Sequence, residues 1–113
     1  MAKFMLLLYN DHSKPPQMPS AEEMQQMLEK YTAWMHKPFT LGGERLADDF
    51  GKVIRPKSGK PQTTDGPYSE TKEVLGGFYT IEAPNYDEAV KISLAHPHLE
   101  YGGSIEVRQV YGT

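Results

Sequence analysis

Gly76-Gly77-Phe78-Tyr79-Thr80-Ile81-Glu82, followed closely by Asn85-Tyr86-Asp87-Glu88, sets an aromatic and β-branched strand directly ahead of a helix start. The second string reads as a capping box, so the spacing predicts a strand over 78–82 and a helix from Asn85 to about Ala95. Gly102-Gly103 then opens a last strand, Ser104–Tyr111, in which Ile105, Val107 and Tyr111 share one face while Glu106 and Arg108 take the other. That alternation is expected of a sheet covered on one side.

The first half of the chain repeats this order. Residues 3–9 have the apolar, aromatic content of a central strand, and Asn10-Asp11-His12-Ser13-Lys14-Pro15-Pro16 reads as a polar, proline-terminated loop. Ser20-Ala21-Glu22-Glu23 is a capping box for a helix whose Met24, Met27, Leu28, Tyr31, Trp34 and Met35 recur at helical spacing until Pro38 stops it. This stripe reads as sheet packing. Gly42-Gly43 leads to a strand around Glu44–Leu46. Val53-Ile54-Arg55 and Gln62-Thr63-Thr64 then flank Lys57-Ser58-Gly59-Lys60 as a hairpin. His36 stands six residues before Gly42-Gly43 and His96 six before Gly102-Gly103, an internal echo that a duplicated βαβ unit would leave. Without the hairpin the order is βαββαβ, so an α+β, ferredoxin-like fold with an inserted β-hairpin is expected, its helices on one face of an antiparallel sheet. The other face needs an apolar cover, and a second copy of the chain is the economical one.

A chain of 113 residues fits a single domain, 1–113, with one core. A 38% hydrophobic content excludes a disordered chain, and no apolar run approaches the roughly 20 residues of a membrane span. The chain has no cysteine, which removes disulfides, thiolate nucleophiles and cysteine-ligated metals. A net charge of −3 without a basic cluster gives no footprint for nucleic acid. The N-terminal apolar run is too short for a signal peptide, so a cytoplasmic location is expected, with neither membrane nor nucleic acid among the partners.

The stretch Thr64-Asp65-Gly66-Pro67-Tyr68-Ser69-Glu70-Thr71-Lys72-Glu73-Val74-Leu75-Gly76-Gly77 packs a turn, several charges and two glycines into the approach to a strand. Asp-Gly-Pro fixes backbone direction and with it the place of Asp65. The string resembles the signature of the DGPF branch of the YCII-related proteins, usually Asp-Gly-Pro-Phe, one residue, Glu-Thr-Lys-Glu and soon Leu-Gly-Gly. The closing Gly102-Gly103-Ser104-Ile105-Glu106-Val107-Arg108 matches too, and the first sixty residues match mainly in pattern. The resemblance implies a homodimer in which two sheets form an α+β barrel, and an Asp–His pair in a cleft. It also implies a regulatory link to an extracytoplasmic-function sigma factor, because members of this branch are often encoded beside one. Tyr68 departs from the usual phenylalanine, adding a hydroxyl to an aromatic packing residue.

Asp65 is the leading candidate for chemistry: a carboxylate at a sharp bend can act as general base or orient a histidine, although aspartate before glycine is also a common turn former. Only the aspartate is carried over by motif. His12, in the loop after the first strand, is its candidate partner by position, while His36 and His96 read as helix C-terminal residues. Tyr68, Glu70 and Lys72 are candidate ligand-binding residues, with Glu70, Lys72 and Glu73 equally readable as a solvated charge cluster. His96-Pro97-His98 has poor spacing for a metal site, and the Gly-Gly pairs precede strands rather than open a phosphate-binding helix, reading instead as helix caps and turns. No metal or cofactor is expected. The expected function is binding of a small polar or aromatic metabolite in a cleft edged by Asp65–Tyr68, with isomerase- or lyase-like acid–base work by Asp65 and His12. The alternative is a non-enzymatic regulatory protein.

Overall fold

A computed structural model describes residues 1–13 and 19–112. Lys14, Pro15 and Pro16 of the expected loop lie outside the described residues. The elements are β1 (Ala2–Asp11), α1 (Ala21–Met35), β2 (Thr40–Arg45), β3 (Lys52–Lys57), β4 (Lys60–Asp65), β5 (Glu73–Ala83), α2 (Tyr86–Ser93), α3 (Pro97–Glu100) and β6 (Ser104–Gln109). Four strands form an antiparallel sheet in the order β2-β5-β1-β6, an arrangement compatible with a ferredoxin-like domain. β3 and β4 form a separate two-stranded antiparallel ladder. Its two-residue turn holds Ser58 and Gly59 at φ of 53° and 80°, the left-handed geometry that matches the twist of paired strands.

Alternation along β1 sorts the sheet into two faces. Phe4, Leu6 and Leu8 are buried with Tyr79, Ile81 and Ala83 of β5, and this face is covered by Trp34 of α1 and Ala89 of α2. Each large apolar side chain buried there contributes about 1.5–3 kcal/mol relative to exposure. Met5 and Leu7 alternate with the buried set and stand half-buried on the other face, level with Thr80 and Phe78. Ile105 and Val107 pack against the core as expected, but Tyr111 does not join them, because β6 ends at Gln109 and the tyrosine is exposed.

Both helix starts follow from their caps. Ser20 Oγ accepts from the Glu23 amide at 3.1 Å and Asn85 Oδ1 from the Glu88 amide at 2.9 Å, each worth about 1 kcal/mol. The methionine–aromatic stripe of α1 divides. Trp34 enters the core and Tyr31 and Met35 pack beside it, whereas Met24 and Leu28 stay exposed and line a cavity, so the first turns of α1 do not close onto the sheet as the stripe predicted. Two of the Gly-Gly pairs also differ from the expected caps: Gly42-Gly43 lies within β2 and Gly76-Gly77 within β5. A Cβ on Gly43 would strike the Phe78 carbonyl, and one on Gly77 would come within 2.9 Å of the Glu44 carbonyl oxygen, so bare backbone lets the two strands approach. Among the described residues no helix is long and apolar enough to cross a membrane.

Candidate functional site

An open cleft of about 970 Å³ lies between the 46–54 segment, the turn after β4 and the ends of β1, β5 and β6. Pro67, Tyr68 and Ser69 form one edge, Phe50 and Val53 another, and Tyr9, Glu73 and Glu106 supply polar groups. The Gly66–Pro67 peptide is cis. The Gly66 amide donates to the Gly51 carbonyl at 2.9 Å, tying the turn to the 46–54 segment. Arg55 anchors it from the hairpin, its guanidinium lying 4.6 Å from the Tyr68 ring centroid and donating to the Tyr68 carbonyl at 3.1 Å. The turn is thereby held in place while Tyr68 remains 73% exposed.

The sequence-derived candidates are placed unequally about this cleft. Tyr68 lines it. The Asp65 side chain is 82% exposed and pairs with Lys52 across the β3–β4 ladder. His12 packs its ring edge against Phe50, with centroids 5.6 Å apart, and its amide donates to the Lys72 carbonyl. No hydrogen bond or ion pair joins Asp65 to His12 among the described residues, and neither lines the cleft: His12 reaches Phe50, while it is Gly66, the residue after Asp65, that bonds Gly51. Glu70 and Lys72 are exposed beside the turn rather than in the wall of the cleft. Residues that spacing did not single out face the cavity instead: the Tyr9 hydroxyl donates to Glu106 Oε1 at 3.0 Å. Partial burial, and then this bond, raise the Tyr9 pKa, so the hydroxyl stays protonated at neutral pH and keeps its hydrogen bond to Glu106. The signal for the pair was in the strand alternation, which put Glu106 on the face opposite the core.

A second cluster lies under α1. His96 is not the C-terminal residue the echo implied: it is the N-cap of α3, its Nδ1 accepting from the His98 amide at 3.0 Å. Its ring is enclosed by Trp34, Tyr79 and Tyr31, with centroids 4.5, 4.8 and 5.5 Å away. Burial, reinforced by His98, lowers its pKa to about 4. His98 bonds through both ring nitrogens, Nε2 to the Tyr9 carbonyl and Nδ1 to the Tyr31 hydroxyl, each at 2.8 Å. A carbonyl only accepts, so Nε2 carries the proton and Nδ1 receives the Tyr31 proton. Burial lowers the His98 pKa and raises that of Tyr31 to about 12, keeping both neutral. The two imidazoles thus turn to different partners, and no group of three or more potential metal ligands occurs among the described residues.

Residues 2–112 match the family model of the YCII-related domain. The chain belongs to the YCII-related family. It is also 32% identical to an uncharacterized protein of Rhizobium meliloti (strain 1021), over 93% of this chain and 89% of that protein. The matched residues include both the cleft and the histidine cluster.

Proposed function

We propose that this protein is a homodimer that binds a small polar or aromatic metabolite in the cleft edged by the Asp65–Tyr68 turn. The observation that carries this reading is the cleft itself: its size suits a small ligand, apolar Phe50, Val53 and Leu75 form its walls, and Tyr9 and Glu106 place a hydrogen-bonded hydroxyl and carboxylate inside it. The free sheet face supports the dimer, because Met5, Leu7 and Phe78 gather there without a covering helix. Tyr9 and Glu106 belong to the same face, so a second sheet packed on it as an α+β barrel would also wall the cleft. Acid–base chemistry by Asp65 with His12, of isomerase or lyase type, belongs to this reading through the Asp65–Tyr68 turn at the cleft edge and the His12 ring on Phe50, a residue of the cleft wall, with Glu70 and Lys72 beside the turn.

The exposed Asp65–Lys52 ion pair favours a second reading, in which the DGPF-type turn is an interaction surface of a regulatory protein linked to an extracytoplasmic-function sigma factor. Thermal-shift screening with small carboxylates, lactones and aromatics on the native protein and on Tyr68→Ala and Asp65→Asn separates the two. Ligand binding lost with Tyr68→Ala supports the cleft. Hits that respond alike in all three proteins refute it.

A further inference from the structure

The β3–β4 ladder leaves the body of the molecule as an arm. Val53 alone of its strand residues is buried and the rest are exposed, and a two-stranded hairpin standing in water is marginal without something packed on it. The radius of gyration is 16.0 Å, where a compact domain of this length has about 13 Å. The thinnest dimension, 19 Å, is close to that of one sheet and one helix layer, so the arm projects sideways and does not fold back across the sheet. The Gly66–Gly51 and Arg55–Tyr68 hydrogen bonds fix its root, which holds the arm out rather than leaving it loose.

Residues opposite each other on a ladder share a face. Val53 turns to the chain's own body, and Ile54, Pro56, Pro61 and Thr63 therefore take the other side, where Ile54 is 66% exposed. Charge accompanies this apolar strip. Residues 52–65 carry Lys52, Arg55, Lys57 and Lys60 against Asp65, a net +3 in a chain whose total is −3, so the remainder carries −6. Lys57 and Lys60 flank the turn at the tip, and among the described residues neither meets a carboxylate. The free sheet face has the complementary pattern. Pairing of β2 with β5 sets exposed Glu44 level with half-buried Phe78 on that face, and Glu44 has no cation partner among the described residues.

We propose that the arm docks on a second copy of this chain: Ile54, Pro56 and Pro61 pack on the partner's Phe78 along the β2 side of its free sheet face, and Lys57 or Lys60 reaches the partner's Glu44. The contact rests on the homodimer proposed above and adds a reciprocal clasp to it, since a two-fold axis makes each copy give one arm and receive the other. Lys52, Val53 and Ile54 at the arm's root line the cleft, so the docked partner stands at the cleft's rim.

The test uses full-length protein. Equal amounts of unlabelled and nitrogen-15-labelled chains are incubated to exchange subunits, treated with a zero-length carbodiimide and digested for mass spectrometry, so that a cross-link between chains is recognised by its mixed label. The expected product joins Lys57 or Lys60 of one chain to Glu44 of the other. Ile54→Asp should raise the dimer dissociation constant, read by sedimentation equilibrium, at least about tenfold with the circular dichroism spectrum unchanged, whereas Leu94→Asp, at a 69% exposed position at the end of α2, should leave it as it is. Lys57→Glu combined with Lys60→Glu should weaken the dimer, and Glu44→Lys added to them should restore it. A native dimer that lacks the mixed-label product with Glu44, or that is indifferent to Ile54→Asp, would overturn the arm contact and leave the homodimer standing. A native monomer at micromolar concentration would overturn both.

Discussion

Replacing Gly103 by alanine should cost this protein about 3 kcal/mol through a single contact. A Cβ at position 103 would lie within 2.5 Å of the His98 Cδ2 and Cε1 atoms and closer still to Nε2. The ring cannot step aside freely. It is 5% exposed, and its two nitrogens are bonded to the Tyr31 hydroxyl and the Tyr9 carbonyl. Moving it forfeits two hydrogen bonds at about 1 kcal/mol each, and the overpacking itself costs about 1–3 kcal/mol. Relief of glycine's chain entropy returns less than about 1 kcal/mol. Trp34 is the sole tryptophan and packs on His96, so its fluorescence reports the loss of this region during urea denaturation. A double-mutant cycle isolates the contact: in a His98→Ala background, where no ring stands above position 103, Gly103→Ala should cost less than about 1 kcal/mol. An equal cost in both backgrounds would refute the steric account.

Stability should also fall on acidification from pH 6.5 to about 4. Burial holds His96 at a pKa of about 4, below its unfolded value, so the unfolded chain binds the extra proton in that interval and gains about 3 kcal/mol, with His98 adding in the same direction. Urea midpoints against pH for the native protein and His96→Gln should show a flatter profile in the variant. Ser20→Ala and Asn85→Ala should each cost about 1 kcal/mol in the same assay, since each removes the acceptor of an N3 amide. Asp65→Asn should change stability by less than about 1 kcal/mol, because the Lys52 pair it breaks is exposed. Light scattering at micromolar concentration should report a dimer or its multiple, and a clean monomer would remove the barrel arrangement.

The elements were legible because their signals are local. Capping boxes at Ser20 and Asn85 start helices where the side-chain bonds were expected, and the Ser58-Gly59 turn closes the hairpin. Strand ends were less legible: β5 begins at Glu73 and not at Phe78, since pairing with β1 carries it back through the charged approach. Edge pairing likewise absorbs Gly42-Gly43 and Gly76-Gly77, whose reason is the close passage of β2 and β5 and not the local turn that a glycine pair signals.

The site was legible in proportion to how local its geometry is. The Asp65–Tyr68 turn is a four-residue object, so its place as an edge of the cleft could be read from the chain, but the direction of the Asp65 carboxylate depends on Lys52, which pairing of β3 with β4 brings opposite. His98 lies further from what sequence shows. Its partners Tyr31 and Tyr9 are 67 and 89 residues away, and only the stacking of α1, α3 and β1 makes them neighbours. One trace of the arrangement was nonetheless present. Gly102 holds a φ of 85° that turns the chain out of α3, which a single glycine would satisfy. The second glycine needs another cause, and the His98 ring pressed against position 103 supplies it. A glycine in excess of what a turn requires therefore marks a place where something large comes close, and here that object is the imidazole that sets the proton positions of the histidine cluster.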